Sequence, residues 1–472
     1  MLKIIFKIVK NYLKPTVALA PKALISLLTI SLFFNPFITI SHNYAYFLGE
    51  KKDFLITFAY LSDFLLFSLC MSIILFIYSI HKLHKIDHNH TKSVISADYI
   101  LLCLALISYF FGLDKLVIPE IALYYIVLFF KWVVLRGTLR LYTKSLFNYF
   151  ATTFITLGIL ESILAMFQFA KQSNIGFRIF GEPKFSPYLW GIAKVEALGQ
   201  VFIRPYGTFV HPNILAAFLV VAFILAFYKY IYLNNNNWLI HKLLFVLPFI
   251  IGTCVLLTFS RASWLALGLT VPLSILAIYK KLNYEQKNKI KLILASLVAY
   301  AFILLIIFLP FVKQRGNVFD KAYKERKSFN QAGIEMLYER PIIGQGPGQS
   351  LLHMEQKLEP GTQPIEIQPV HNYYLLLAVE IGVPAFLVFI YIIGNDLKRG
   401  VKRVINDSHG TQSRHLVPLI TAVCACLVLM LFDHYFYTIE SSSLLFWLLL
   451  GLTALESGLA QEQNSLEHNF RD

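Results

Sequence analysis

Apolar residues in this chain come in long unbroken runs, with polar residues gathered between them. A helix that crosses a bilayer needs about twenty consecutive apolar residues. About twelve runs approach that length, near 23–40, 54–79, 98–113, 117–135, 146–168, 212–232, 241–259, 262–280, 291–311, 371–394, 415–433 and 440–457. The third and fourth are divided only by "GLDK". The pattern predicts an all-α polytopic membrane protein, with residues 1–472 forming one integral membrane domain. No internal repeat or low-complexity stretch interrupts it.

Lysine and arginine are distributed unevenly between the runs. Residues 1–22, "HKLHKIDHNHTK", "RGTLRLYTK", "NNNNWLIHK", "KKLNYEQKNKIK" and "NDLKRGVKRVINDSHGTQSR" each carry more Lys and Arg than Asp and Glu. Short cytoplasmic loops hold that excess. The expected topology therefore has both termini in the cytoplasm, with "GEKKD" and "GLDK" on the outer side. The basic start reads as a cytoplasmic segment followed by a first span, since no small-x-small cleavage site follows the run. The acidic end, 457–472, reads as an unstructured cytoplasmic tail.

Two long segments fall outside on this scheme, about 169–211 and about 312–370. Loops of that length usually carry function or are disordered. In the second, "VFDKAYKERKSFNQAGIEMLYER" sets Phe319, Ala322, Tyr323, Phe329, Met336 and Leu337 along one helical stripe. Pro341 ends that helix, and "GQGPG" at 344–348 makes a turn. Arg326 lies seven residues after Phe319, on the apolar stripe. It either snorkels to water or faces an anion.

Composition sharpens the class. The chain is 57% hydrophobic, and its 15% charged residues fall below the roughly 25% of soluble domains. The net charge of +15 follows from the cytoplasmic loops. No basic stretch interleaved with aromatics lies outside the runs, which excludes nucleic acid as an expected partner. All five cysteines lie inside apolar runs and read as small buried hydrophobes. There is no P-loop, and "GQGPG" is not a dinucleotide fingerprint, since no strand precedes it.

Several cations and histidines share the expected outer level: Arg204, Arg261, Arg326, His371 and the pair Asp433-His434. Arg261, beside Ser260 in the turn "SRAS", either snorkels to lipid phosphates or grips a phosphate through paired hydrogen bonds. Three arginines around one cavity suit a diphosphate. His371, followed by Asn372, either caps its span or accepts a proton from an attacking hydroxyl. Glu380 lies nine residues on, about 13 Å along a helix. It reads as a partner for a buried polar group, as do Asp63 and Glu161 within their spans.

The segments "RPYGTFVHPNILAAF", "LTFSRASW", "RKSFNQAGIEMLYERPIIGQGPG" and "VHNYYLLLAVEIGVP", in that order, resemble the motifs of the O-antigen ligase and polymerase superfamily. The similarity covers about 200–450. It implies a GT-C-like membrane fold with a large outer loop, in a bacterial inner membrane. It implies transfer of a glycan from an undecaprenyl diphosphate donor to a hydroxyl on a glycan or lipid acceptor, without a metal ion or other cofactor. The family's loop arginine falls on Arg326, its arginine after serine on Arg261 and its histidine on His371. Where many members carry a tryptophan after the loop arginine, this chain has Asn330. On this resemblance His371 is the base or orienter of the acceptor, and the arginines hold the departing diphosphate, which predicts inversion at the anomeric carbon. Arg204 is added from its "GTFVHPN" context, and Ser260, Asn372 and Glu380 as supporting residues. A polymerase of the same superfamily fits the same motifs. A flippase for lipid-linked sugars is a separate class. It calls for broken helices and ionisable groups deep in the spans, whereas the cations here gather at one level.

Overall fold

A computed structural model describes residues 14–34, 37–41, 46–47, 50–51, 57–81, 95–112, 119–189, 191–234, 237–316, 321–354, 357–358, 367–407 and 413–469. The basic start over 1–13, most of the 81–92 segment, the 113–118 turn and Phe319 lie outside them.

The protein is an all-α polytopic membrane protein. Among the described residues, nine helices are long and apolar enough to cross a membrane, and shorter apolar helices cover Leu19–Phe33, Leu61–Leu75 and Ala97–Phe111. These shorter helices fall on the first, second and third expected spans. In chain order the helices are α1 (Lys14–Phe33), α2 (Leu61–His81), α3 (Ile95–Phe111), α4 (Pro119–Leu141), α5 (Phe147–Lys171), α6 (Pro212–Ile231), α7 (Trp238–Leu257), α8 (Arg261–Ile278), α9 (Tyr284–Ile307), α10 (Leu309–Gly316), α11 (Lys321–Glu339), α12 (Ser350–Met354), α13 (Tyr373–Asn406), α14 (Ser413–Met430), α15 (Tyr435–Thr438) and α16 (Glu440–Asn469). The described strands form antiparallel pairs: β1 (Phe37–Ser41) with β4 (Thr57–Tyr60), β2 (Tyr46–Phe47) with β3 (Glu50–Lys51), and β5 (Lys194–Ala197) with β6 (Gln200–Ile203). The segment from Glu456, expected to be unstructured, continues α16 to Asn469.

The chain divides into two compact units. The first comprises 1–150, 328–400 and 436–472. Its α4 packs on α16, where Trp132 stacks on Trp447 with ring centroids 5.1 Å apart. Buried ion pairs also fasten it. Arg136 donates to Asp396 at 2.9 and 2.7 Å and pairs with Asp98, while Arg140 reaches Asp98 at 2.9 Å and Asp396 at 2.6 Å. Two guanidiniums facing two carboxylates leave no net charge in a place where an unpaired ion is costly. This corrects the reading of "RGTLRLYTK" and "NDLKRG" as loop charge: α4 and α13 run on, and Arg136, Arg140 and Asp396 join helices. Asp63 has a similar use, since Lys131 bridges it at 2.5 Å to Glu440 at 3.1 Å. The spans of this unit therefore hold more ionic groups than the sequence led us to expect.

The second unit comprises 151–327 and 401–435. Its centre is α6, buried along nearly its whole length, which explains a helix that is apolar on every side. Helices α7, α8 and α14 pack around it. Against α5 the approach is close: a Cβ on Gly158 would lie 2.5 Å from that of Ala222. The 172–211 segment is tied to α5 by side chains rather than by an apolar core alone. Gln168 accepts from the Tyr206 and Gly207 amides at 3.0 and 2.7 Å, and Glu161 accepts from the Thr208 amide at 3.0 Å and its hydroxyl at 2.7 Å.

Candidate functional site

In the first unit, α13 is broken nine residues into the helix, and the break follows from sequence. Pro384 has no N–H to donate to the Glu380 carbonyl four residues back. Gly382 adopts φ 86° and ψ 161°, which essentially only glycine tolerates. The Val383 amide turns to the Pro341 carbonyl at 2.8 Å. Two carbonyls of α13 thus lose their helical donors, and buried carbonyls need others. The chain after α11 supplies them: the Gln345 amide donates to Val379 at 2.8 Å and the Gly346 amide to Glu380 at 2.9 Å. This approach leaves no room for side chains. A Cβ on Gly344 would lie 2.5 Å from the carbonyl carbon of Glu380.

Glu380 completes the junction. Its carboxylate accepts from the Gly348 amide and the Ser350 hydroxyl, each at 2.6 Å, and its carbonyl also accepts from the Ser108 hydroxyl at 2.8 Å. The carboxylate inside the span therefore holds the "GQGPGQS" turn in the helix break. This break is filled by the chain itself, unlike the open, cavity-lining breaks of transporters.

Helix α11 presents Phe329, Ala332, Gly333 and Met336 as its buried stripe. This is narrower than expected, because Tyr323 is exposed and Leu337 half-buried. Gly333 lets Val370 close in: a Cβ there would lie 2.7 Å from a Val370 methyl. The next residue, His371, stacks on Phe329 with ring centroids 5.8 Å apart and planes 19° from parallel. Asn372 caps α13, its side-chain oxygen accepting from the Leu375 amide at 3.0 Å. The loop helix and the histidine expected from sequence are thus joined within this unit, with the ring orientation set by an aromatic face.

The second unit gathers Arg204, Arg326, His211, Asn213, Asp433 and His434. Arg204 is buried. Its Nε donates to the Thr258 carbonyl at 2.6 Å and its Nη2 to Asn213 Oδ1 at 2.6 Å. Thr258 precedes the turn at Phe259 (φ 50°) and Ser260, which starts α8 at Arg261. Arg204 therefore fixes the turn that carries Arg261. Ser260 is buried and accepts from the Ser263 hydroxyl at 3.0 Å. Asn213 continues the chain of bonds, donating through Nδ2 to Asp433 at 3.0 Å. Arg326, with its side chain one-third exposed, has Nη2 3.9 Å from the same carboxylate, long for a hydrogen bond but close enough for charge attraction.

His211 was not singled out from sequence. It is the N-cap of α6, with Pro212 as the first helical residue, and its Nδ1 accepts from the Asn213 amide at 3.1 Å. Burial is the main cause pushing its pKa down to about 3, with Arg204, Arg326 and His434 adding to the shift against Asp433. Burial also lowers the pKa of His434. The signal was available in "HPN", since proline at the first helical position marks the residue before it as a cap. This cluster combines a partly exposed guanidinium, a neutral imidazole and one carboxylate, a set suited to anionic oxygens.

A search of curated proteins found no match. Residues 243–390, which contain Ser260, Arg261, Arg326, His371, Asn372 and Glu380, match the family model described as O-antigen ligase. Over that segment the chain is similar to the O-antigen ligase family, and the match supports a membrane enzyme of the O-antigen ligase or polymerase type.

Proposed function

We propose that the protein moves a glycan from an undecaprenyl diphosphate donor to a hydroxyl acceptor at the outer face of a bacterial inner membrane, as a ligase of surface polysaccharide. The family match over 243–390 carries this reading. In the scheme Arg261 and Arg326 bind the donor diphosphate and neutralise the charge that grows as it leaves, where preorganised donors act most strongly. Arg204 assists by holding the turn before Arg261 through Thr258. His371 takes the proton of the acceptor hydroxyl, with Asn372 and Phe329 fixing its position. The hydroxyl attacks the anomeric carbon opposite the diphosphate, and the configuration inverts. The transfer in this scheme needs no metal ion. A polymerase, in which the acceptor is a second lipid-linked glycan, uses the same residues and is the alternative.

The test is transfer by purified protein in proteoliposomes, with lipid-linked glycan supplied and glycan release followed. Arg261→Ala and His371→Ala should each lose at least about a hundredfold in rate while eluting and melting like the parent. Full-rate transfer by both variants overturns the assignment.

A further inference from the structure

We propose that His211 is a further ligand-binding residue of the arginine cluster, donating a hydrogen bond from Nε2 to an oxygen of a bound diphosphate. This rests on the donor site proposed above and assigns it a residue outside the 243–390 family match.

The argument begins with the tautomer. A neutral imidazole has one acceptor nitrogen and one N–H. Nδ1 of His211 accepts from the Asn213 amide at 3.1 Å, so the proton is on Nε2. Three influences keep the ring neutral at physiological pH. It is half-buried, it stands at the positive end of the α6 dipole, and Arg204 and Arg326 are its cationic neighbours. Asp433 and His434 are the other titratable groups facing it, and only Asp433 opposes the shift. A ring held this way cannot act as a base, because its lone pair is committed to the helix. What it offers a ligand is the Nε2 proton.

That proton has no acceptor among the described residues: the imidazole's hydrogen-bond and ring contacts there are the Asn213 amide and Tyr206, with ring centroids 6.3 Å apart. Asp433 is the nearby anion, yet it receives from Asn213 Nδ2 at 3.0 Å and the His434 amide at 2.9 Å. With two arginines, a helix N-terminus and one carboxylate, the surroundings retain positive charge. They favour a ligand oxygen that carries negative charge. A neutral donor suits a leaving diphosphate, because it keeps its proton while charge builds on the oxygen beside it.

Two substitutions separate the ends of the ring. His211→Asn keeps an acceptor where Nδ1 caps α6 and removes the distant donor. His211→Gln restores an N–H near the Nε2 position and gives up the cap. The parent and both variants, as full chains in lipid nanodiscs, would be titrated with undecaprenyl diphosphate between about pH 5.5 and about pH 8, a range spanning the ordinary histidine pKa. The parent should bind with a constant that does not rise as the pH falls over this range, since the terminal phosphate of the lipid itself takes up a proton near about pH 6. His211→Asn should bind about ten- to a hundredfold more weakly, the loss of one hydrogen bond to a charged group, with an unchanged melting temperature. His211→Gln should recover at least part of that affinity. Nitrogen chemical shifts from histidine-labelled parent should report an unprotonated Nδ1 and a protonated Nε2. The inference fails if His211→Asn binds like the parent, if affinity rises as the pH falls through about 6.5, or if the proton is on Nδ1. If Arg326→Ala loses binding and His211→Asn does not, this inference alone is lost. If the parent binds no undecaprenyl diphosphate, the donor site itself is wrong and His211 goes with it.

Discussion

Replacing Gly382 with alanine tests the junction between α13 and the 344–350 turn. The backbone there has φ 86° and ψ 161°, and holding a residue with a Cβ in such a region costs about 1–3 kcal/mol. The added methyl would also lie 2.6 Å from the carbonyl carbon of Ile342, a backbone atom that cannot rotate away. The two segments must separate, which weakens the bonds from Val383 to Pro341, Gln345 to Val379 and Gly346 to Glu380. Each contributes about 0.5–1.5 kcal/mol net, so losing one or two brings the total to about 1.5–6 kcal/mol. Gly394 on the same helix is the control. It is exposed and helical, with open space where its Cβ would go, and alanine there should be neutral or gain about 0.4–1 kcal/mol. Melting temperatures of the purified proteins in nanodiscs give the comparison. Gly382→Ala should melt about 5–10 °C below the parent and Gly394→Ala at or above it. Equal melting of the two variants would refute the account of the break.

Arg136→Ala leaves Asp98 and Asp396 sharing only Arg140, so a carboxylate is buried without compensation. A loss of about 3–5 kcal/mol is expected, read as a collapse of monodisperse yield on size-exclusion chromatography, with Arg136→Lys intermediate. Parent-like yield from the alanine variant would contradict the pairing. The 172–211 segment should resist acid. Burial alone would raise the pKa of Glu182, but hydrogen bonds from the Ile175, Gly176 and Phe177 amides and the Gln168 side chain outweigh it and lower the pKa. A carboxyl depressed by folding adds stability above its unfolded pKa and loses it as pH falls through the folded value. Hydrogen exchange of the 175–177 amides should stay slow to below about pH 4.3, the ordinary glutamate value, and become fast at higher pH in Glu182→Gln. Exchange that is fast at neutral pH in the parent would contradict it.

The membrane architecture was legible because apolar run length is a one-dimensional signal, and each of the twelve runs falls on an apolar helix. The loop helix was legible for the same reason, although among the described side chains its buried stripe begins at Phe329, since Tyr323 faces outward. The break in α13 was only half legible. Gly382 and Pro384 stand in the sequence, but nothing local says that residues 341–346 will supply the missing donors. Buried ion pairs were hidden in the same way: Arg136 reads as a cytoplasmic loop charge until Asp98 and Asp396 are brought to it from other helices. Arg204 and Arg261 were both marked as cations, yet their relation runs through the Thr258 carbonyl, a backbone atom that carries no residue-specific signal. His211 was overlooked because its neighbours Arg326 and Asp433 are more than a hundred residues away.

The central claim is that glycan leaves a polyprenyl diphosphate for a hydroxyl. The most direct measurement is of the products made by the parent protein in proteoliposomes from undecaprenyl diphosphate-linked glycan of known anomeric configuration. The account predicts free undecaprenyl diphosphate in equal amount to a new glycosidic bond, with the anomeric configuration inverted. Glycan that crosses the bilayer still attached to its lipid, or a product with retained configuration, would contradict it.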